Sequence, residues 1–224
     1  MSGARGVVTA NDYIDTDVAY LLGMLFGRGQ LIEHGDLRRL VITLDIRRTL
    51  PKLPPGCTLE MNLDLENERA LNQARQRVNN LLDANVDIVP VHAGKTTLTA
   101  VFVKPTIAWR DLRCLTCEGT DRSSFQLNPA FVEAGRTQRT ILEEFVRGFA
   151  DVAVTPSYAD RDQATRVRVA FPVVNANLQF AKTLMQMFKL LGLSPSLLQG
   201  NPPRRALPVR KQWGSPGEGA GYGR

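Results

Sequence analysis

The sequence predicts an α/β chain of the α+β kind, built from two related halves. Three observations carry this. Stretches with apolar residues at three- and four-residue spacing alternate with stretches of two-residue alternation, so helices alternate with strands. The order of these stretches occurs twice along the chain. Each half opens on an apolar helix with a glycine in its interior, where helices ordinarily avoid one.

Residues 1–12 are small and polar and read as a flexible arm. Asp15, Thr16 or Asp17 caps a helix through residues 18–26, which Gly27-Arg28-Gly29 ends. Residues 30–33 and 38–47 form a hairpin about His34-Gly35-Asp36. Its second strand puts Leu40, Ile42, Leu44 and Ile46 on one face and Arg39, Val41, Thr43, Asp45 and Arg47 on the other. Three prolines and a glycine make 49–58 a loop, and 64–83 reads as a polar-faced helix. Strands follow at 86–92 and 96–103, then a short helix at 106–117 and a polar stretch at 118–128 leading to Pro129 and a second helical region. The second half reads as a helix at 139–151, a hairpin of strands near 152–157 and 165–174, and an amphipathic helix at 176–191 with Leu178, Ala181, Leu184, Met185 and Phe188 on one side. A short strand at 195–199 completes it. The halves therefore span 13–118 and 139–200, joined by a linker at 119–138, and 201–224 reads as a disordered basic tail.

Gly23 and Gly148 occupy equivalent places, 125 residues apart, in Tyr20-Leu-Leu-Gly-Met-Leu-Phe26 and Phe145-Val-Arg-Gly-Phe-Ala-Asp151. A helical glycine costs about 1 kcal/mol against alanine, so its presence in both leading helices points to close backbone approach between them. Gly27 lies one turn beyond Gly23, on the same face. The second half, by comparison, is shortened and leaves a sheet edge open for a further copy of the chain or another partner to cover.

The net charge is +6, but Arg204, Arg205, Arg210, Lys211 and Arg224 against Glu218 put four of those charges in the last 24 residues. The body is weakly basic and supports nucleic-acid binding only if its charges share a face. No apolar run approaches the roughly 18–20 residues that cross a bilayer, and residues 1–8 lack the features of a secretory signal, so no membrane association and a cytoplasmic location are expected. Three cysteines, Cys57, Cys114 and Cys117, argue against a disulfide framework. Cys114 and Cys117 have metal-knuckle spacing, but one pair cannot complete a four-ligand zinc site and the two histidines stand far away in sequence. Two reduced thiols on a helix are expected.

The two glycine-bearing motifs, Tyr20 to Gly29 and Phe145 to Val154, resemble those of the LAGLIDADG homing endonucleases, and the helix–strand order around them resembles that family's αββαββα half-domain over about residues 13–200. The resemblance implies a pseudo-twofold pair of half-domains, with Gly23, Gly27 and Gly148 at a central helix–helix seam and saddle-shaped antiparallel sheets lying on duplex DNA. It also implies one acid at the end of each motif helix, because Mg²⁺ requires oxygen ligands beside the scissile phosphates. This sequence departs there. The first acid position is Arg28 and the second is Ala153.

The expected function is therefore duplex DNA binding without nuclease activity and without a cofactor. Arg28 contacts a phosphate in this reading, or else is a solvated arginine favoured by the helix dipole. Arg39, Thr43 and Arg47, Thr97 and Thr99, and Arg166 and Arg168 supply alternating strand contacts, and Arg161 a backbone contact. The alternative is a Mg²⁺-dependent endonuclease centred on Asp151, with Asp17, Glu143 or Glu144 as helpers. A third reading is a protein-interaction subunit.

Overall fold

The computed structural model describes residues 14–45, 62–91, 95–102, 106–158, 167–174 and 176–195. Residues up to Ser194 belong to one compact unit; Pro195–Arg224 form a second, of which only Pro195 is described. The first unit has an α+β architecture.

Helix α1 (Thr16–Arg28) starts where the Asp15 carboxylate accepts from the backbone N–H groups of Asp17 and Val18, and ends at Gly29. Strands β1 (Gly29–His34) and β2 (Leu37–Asp45) follow as a hairpin whose two-residue turn places Gly35 at a φ of 56°. Helix α2 (Leu63–Leu82) is capped by Asn62 and buries only Val78 and Leu82. Strands β3 (Val86–Val91) and β4 (Lys95–Phe102) complete an antiparallel sheet of order β1-β2-β4-β3.

Because strand side chains alternate, the sheet has two unlike faces. Leu40, Ile42, Leu98, Ala100 and Phe102 are buried in the hydrophobic core beneath the helices. Register places Arg39, Thr43, Thr97 and Thr99 on the other face: Arg39 pairs with Val101, Val41 with Thr99 and Thr43 with Thr97. Arg39 is exposed and the three threonines are half-buried.

Helix α3 (Ile107–Leu115) begins at Thr106, whose hydroxyl accepts from the Trp109 N–H. It is shorter than its sequence suggests. Cys114 lies on it, but Cys117 lies past its end with a φ of 49°, so the two thiols, both exposed, do not share a helix. Helix α4 (Pro129–Thr137) has proline at its first position, where the missing N–H has no helical acceptor to lose. Residues 119–138 are therefore more than a linker. They carry α4, bury Phe125 and Phe131 completely, and return the Thr120 carbonyl to the Leu31 N–H of β1 at 2.8 Å.

Helix α5 (Arg139–Ala153) runs beyond the expected end at residue 151. Val152 and Ala153, which read as the start of a strand, form its last turn because both are buried beside Gly27 of α1. A two-stranded sheet, β5 (Thr155–Tyr158) with β6 (Val167–Ala170), leads to helix α6 (Leu178–Leu190). Its buried stripe is Phe180, Ala181, Leu184, Met187 and Phe188; Leu178 is 59% exposed and Met185 half-buried. The stripe starts two residues later than the sequence suggests: Leu178, the first helical residue after the Asn177 cap, stays outside it. The expected strand at 195–199 lies outside the described residues apart from Pro195.

Helices α1 and α5 run side by side in the same direction, since successive contacts advance together along both. A Cβ on Gly23 would overlap the Phe145 carbonyl oxygen and come within 2.7 Å of the Phe149 nitrogen. One on Gly148 would overlap the Tyr20 carbonyl oxygen, and one on Gly27 the side chain of Val152. All three glycines thus lie in one seam where backbone meets backbone. Around it Phe26, Phe125, Phe145 and Phe180 interlock, with Phe26 and Phe180 ring centres 4.7 Å apart.

Candidate nucleic-acid interface

The C-terminal end of α1 opens onto a cleft of about 400 Å³, lined among others by Arg28, Thr43, Lys95, Asp121 and Arg122. The end of the helix delivers Arg28, β2 and β4 deliver Thr43 and Lys95, and the segment before α4 delivers Asp121 and Arg122. Thr43 and Lys95 also belong to the open sheet face, so cleft and face are continuous.

Arg28 is paired: its Nη1 lies 2.6 Å from Oδ2 of Asp45, with the arginine side chain 25% exposed. Asp45 stands opposite Lys95 in the β2–β4 register, which brings Arg28, Asp45 and Lys95 together on one rim. Asp121 is committed to its own turn. Its Oδ1 accepts from Ser123 Oγ at 2.6 Å and from the Ser123 N–H at 2.9 Å, with the N–H and hydroxyl of Ser124 beside them. The Ser123 hydroxyl, foremost among these donors, holds the Asp121 carboxyl below the usual carboxylate range.

Arg122 is held from behind. The buried Asn177 side-chain amide donates to the carbonyls of Arg122 (3.0 Å) and Phe125 (2.7 Å), while its oxygen accepts from the Phe180 N–H. The guanidinium gives one weak bond, from Nη2 to the Pro172 carbonyl at 3.3 Å. Burial, with the positive charge of Arg28 added, lowers the Arg122 pKa below the ordinary arginine value. The sequence offered a signal for Asn177, an asparagine opening an amphipathic helix. It offered none for Arg122, because nothing local says that residue 122 returns to the end of α1.

The positions where the resemblance implies metal-binding acids hold Arg28, on the cleft, and Ala153, 5% exposed and packed at the seam. Asp151 belongs to a different cluster. Its Oδ2 accepts from the Tyr20 hydroxyl at 2.9 Å, and Tyr20 lies eight residues, about 12 Å of helix, before Arg28. The Arg77 guanidinium of α2 covers the Tyr20 ring at 4.0 Å and pairs with Asp17 at 2.6 Å and Glu144 at 2.9 Å. Glu143 pairs with Arg139 along α5. The carboxylates considered as a metal centre are thus taken up by arginines and a tyrosine, and among the described residues no group of three or more His, Cys, Asp or Glu could hold a metal ion. Burial, reinforced by the charge and hydrogen bond of Asp151, raises the Tyr20 pKa.

Thr97 and Thr99 sit side by side on β4, their hydroxyl oxygens 3.4 Å apart, with Thr97 donating to the Val89 carbonyl at 3.3 Å. The open face also exposes Ile32, Leu37, Val89, Val91 and Val101, and its carboxylates Asp45 and Asp87 offset Arg39 and Lys95. Its charge is balanced rather than uniformly positive. Arg168 lies in β6 opposite Ser157, but its side chain, like Arg47, Arg161 and Arg166 as a whole, falls outside the described part of the structure. No helix among the described residues is long and apolar enough to cross a membrane.

No protein-family model matches this chain, and no curated protein matches its sequence.

Proposed function

We propose that the protein binds duplex DNA without cutting it, through a LAGLIDADG-like arrangement in which the helix pair supports an open sheet face. The observation that carries this reading is the exchange of chemistry at the end of α1. Where a nuclease of that kind needs a carboxylate, Arg28 lines a cleft that also holds Lys95 and Arg122. Such a cleft repels a divalent cation and attracts a backbone phosphate. The Arg39, Thr43, Thr97 and Thr99 side chains extend the contact along the groove, with polar groups that reach phosphates or base edges. Since charges on the sheet face balance, most of the electrostatic attraction falls to the cleft and to the basic 201–224 segment.

Anisotropy titration of the full chain with a labelled duplex tests the reading. Binding at low salt that falls steeply as salt rises, unchanged by EDTA and without strand cleavage in Mg²⁺ or Mn²⁺, is the expected result. Failure to bind duplex at low salt overturns it; cleavage overturns its non-catalytic half. A second reading, docking of another protein, is favoured by the exposed Ile32, Leu37, Val89, Val91 and Val101 on the sheet face. It predicts that Val89→Lys abolishes a pull-down partner while leaving any DNA affinity unreduced.

A further inference from the structure

We infer that the cleft at the end of α1 is a metal-free oxyanion site, built by Arg122 and Lys95 with Arg28 at its edge, for a single phosphoryl group. The site stands on its own geometry; only the source of the phosphate, a duplex backbone, rests on the proposed DNA reading.

Three observations converge. First, Arg122 carries an unmet charge. Among the described residues its enclosed Nε has no hydrogen-bond partner, its Nη2 reaches only a carbonyl, and no carboxylate forms an ion pair with it. Enclosing one N–H of a cation without an acceptor is unfavourable, and a native chain that keeps one there requires an explanation. Second, Arg28 stands near enough to disfavour the Arg122 charge, although a lone arginine would be better placed away from another. The Asp45 carboxylate answers Arg28, and the Ser123 and Ser124 donors occupy Asp121, so neither acid neutralises Arg122. Third, Lys95 lines the same cleft and makes no ion pair among the described residues. Two guanidinium groups and an ammonium around one opening match the tetrahedral oxygens of a phosphoryl group, which accepts several charge-assisted hydrogen bonds at once. Asn177 fixes the backbone at Arg122 and Phe125, so the arrangement is formed before a ligand arrives.

The test uses the full chain with two probes: inorganic phosphate alone, and a short labelled duplex. Phosphate is titrated while the Arg122 Nε–Hε resonance and the melting temperature are followed; duplex affinity is read by anisotropy. The expected result is that phosphate shifts the Arg122 resonance and raises the melting temperature of the wild type. Arg122→Met, which removes the unmet charge, leaves the unliganded melting temperature unchanged or higher, abolishes the phosphate response and weakens duplex binding about tenfold or more. Lys95→Met, on an exposed strand position, weakens both probes without touching the core, and carries the comparison if Arg122→Met fails to fold. A phosphate response confined to the cleft with no duplex binding upholds the site and assigns it a free phosphate, while the DNA reading fails. Duplex binding that is unaltered in both variants upholds the DNA reading and overturns the site. The absence of any phosphate response also overturns the site.

Discussion

At Gly23 and Gly148 a hydrogen atom stands where any other residue would place a carbon, and the space beyond it is occupied by the backbone of the facing helix. Backbone cannot swing aside as a side chain can, so Gly23→Ala or Gly148→Ala forces α1 and α5 apart. Overpacking of this kind costs about 1–3 kcal/mol, and more where backbone must move. A drop of at least several degrees in melting temperature is expected for each. Gly135→Ala, whose nearest contacts are with the flexible Leu142 side chain, should cost less. Differential scanning calorimetry of the three variants checks the order.

Tyr20 allows a sharper test. Its pKa is raised in the folded chain, first by burial and then by Asp151, so the folded state holds the phenol proton more tightly than the unfolded state does. The stability this contributes is complete below the ordinary tyrosine range and is lost as pH rises through that range toward the higher folded value. Alkaline difference spectroscopy should show one of the four tyrosines ionising last, and Tyr20→Phe should remove that phase. Asp151→Asn should cost on the order of 1 kcal/mol, the worth of a part-buried hydrogen bond, and leave duplex binding unchanged. An effect of Asp151→Asn on a DNA-directed activity would contradict a purely structural role for this carboxylate.

Among the elements, α2 is attached chiefly near its C-terminal half. Only Val78 and Leu82 are buried, and Arg77 ties it to both central helices through Asp17, Glu144 and the face of Tyr20. Burial works against the Arg77 charge, but the hydrogen bonds of Asp17 and Glu144 outweigh it and raise its pKa. Replacing Arg77 by Ala should destabilise the chain by roughly 1–2 kcal/mol, given a partly exposed network with one cation–π contact. It should also increase amide exchange along 63–76, well before global unfolding. Hydrogen exchange that rises uniformly over the whole chain would contradict a local tether. The elements themselves were legible because each has a local cause. Asp15, Thr106 and Asn177 cap helices, Gly35 turns a hairpin, and alternation marks β2 and β4. The errors lie where tertiary packing overrides pattern: Val152 and Ala153 extend α5 because Gly27 leaves room for them, and Leu178 stays outside a stripe set by Phe180 and Met187.

For the whole molecule, the proposed DNA reading divides the attraction between a built cleft and a compositional tail. Removing 201–224 subtracts four net positive charges. The truncated chain should bind duplex more weakly and show a shallower dependence of affinity on salt. The logarithmic slope should fall by roughly 0.9 for each phosphate that the tail no longer neutralises. Anisotropy titrations across a salt series measure this; an unaltered slope would place all the attraction in the body of the protein.

The α+β class, the paired glycine helices and the alternation that puts Arg39, Thr43, Thr97 and Thr99 on one open face were determined by the sequence, because periodicity, caps and helical glycines act over a few residues. What the acids do was decided only by tertiary structure. Asp151, Asp17 and Glu144 are separated in sequence from Tyr20 or Arg77 by 60 or more residues, yet those are their partners. The cleft, too, exists only because the segment before α4 returns to β1 and carries Arg122 to the end of α1. A side chain's charge can be read from its letter, but whether that charge is answered depends on what the fold brings within a few ångströms of it.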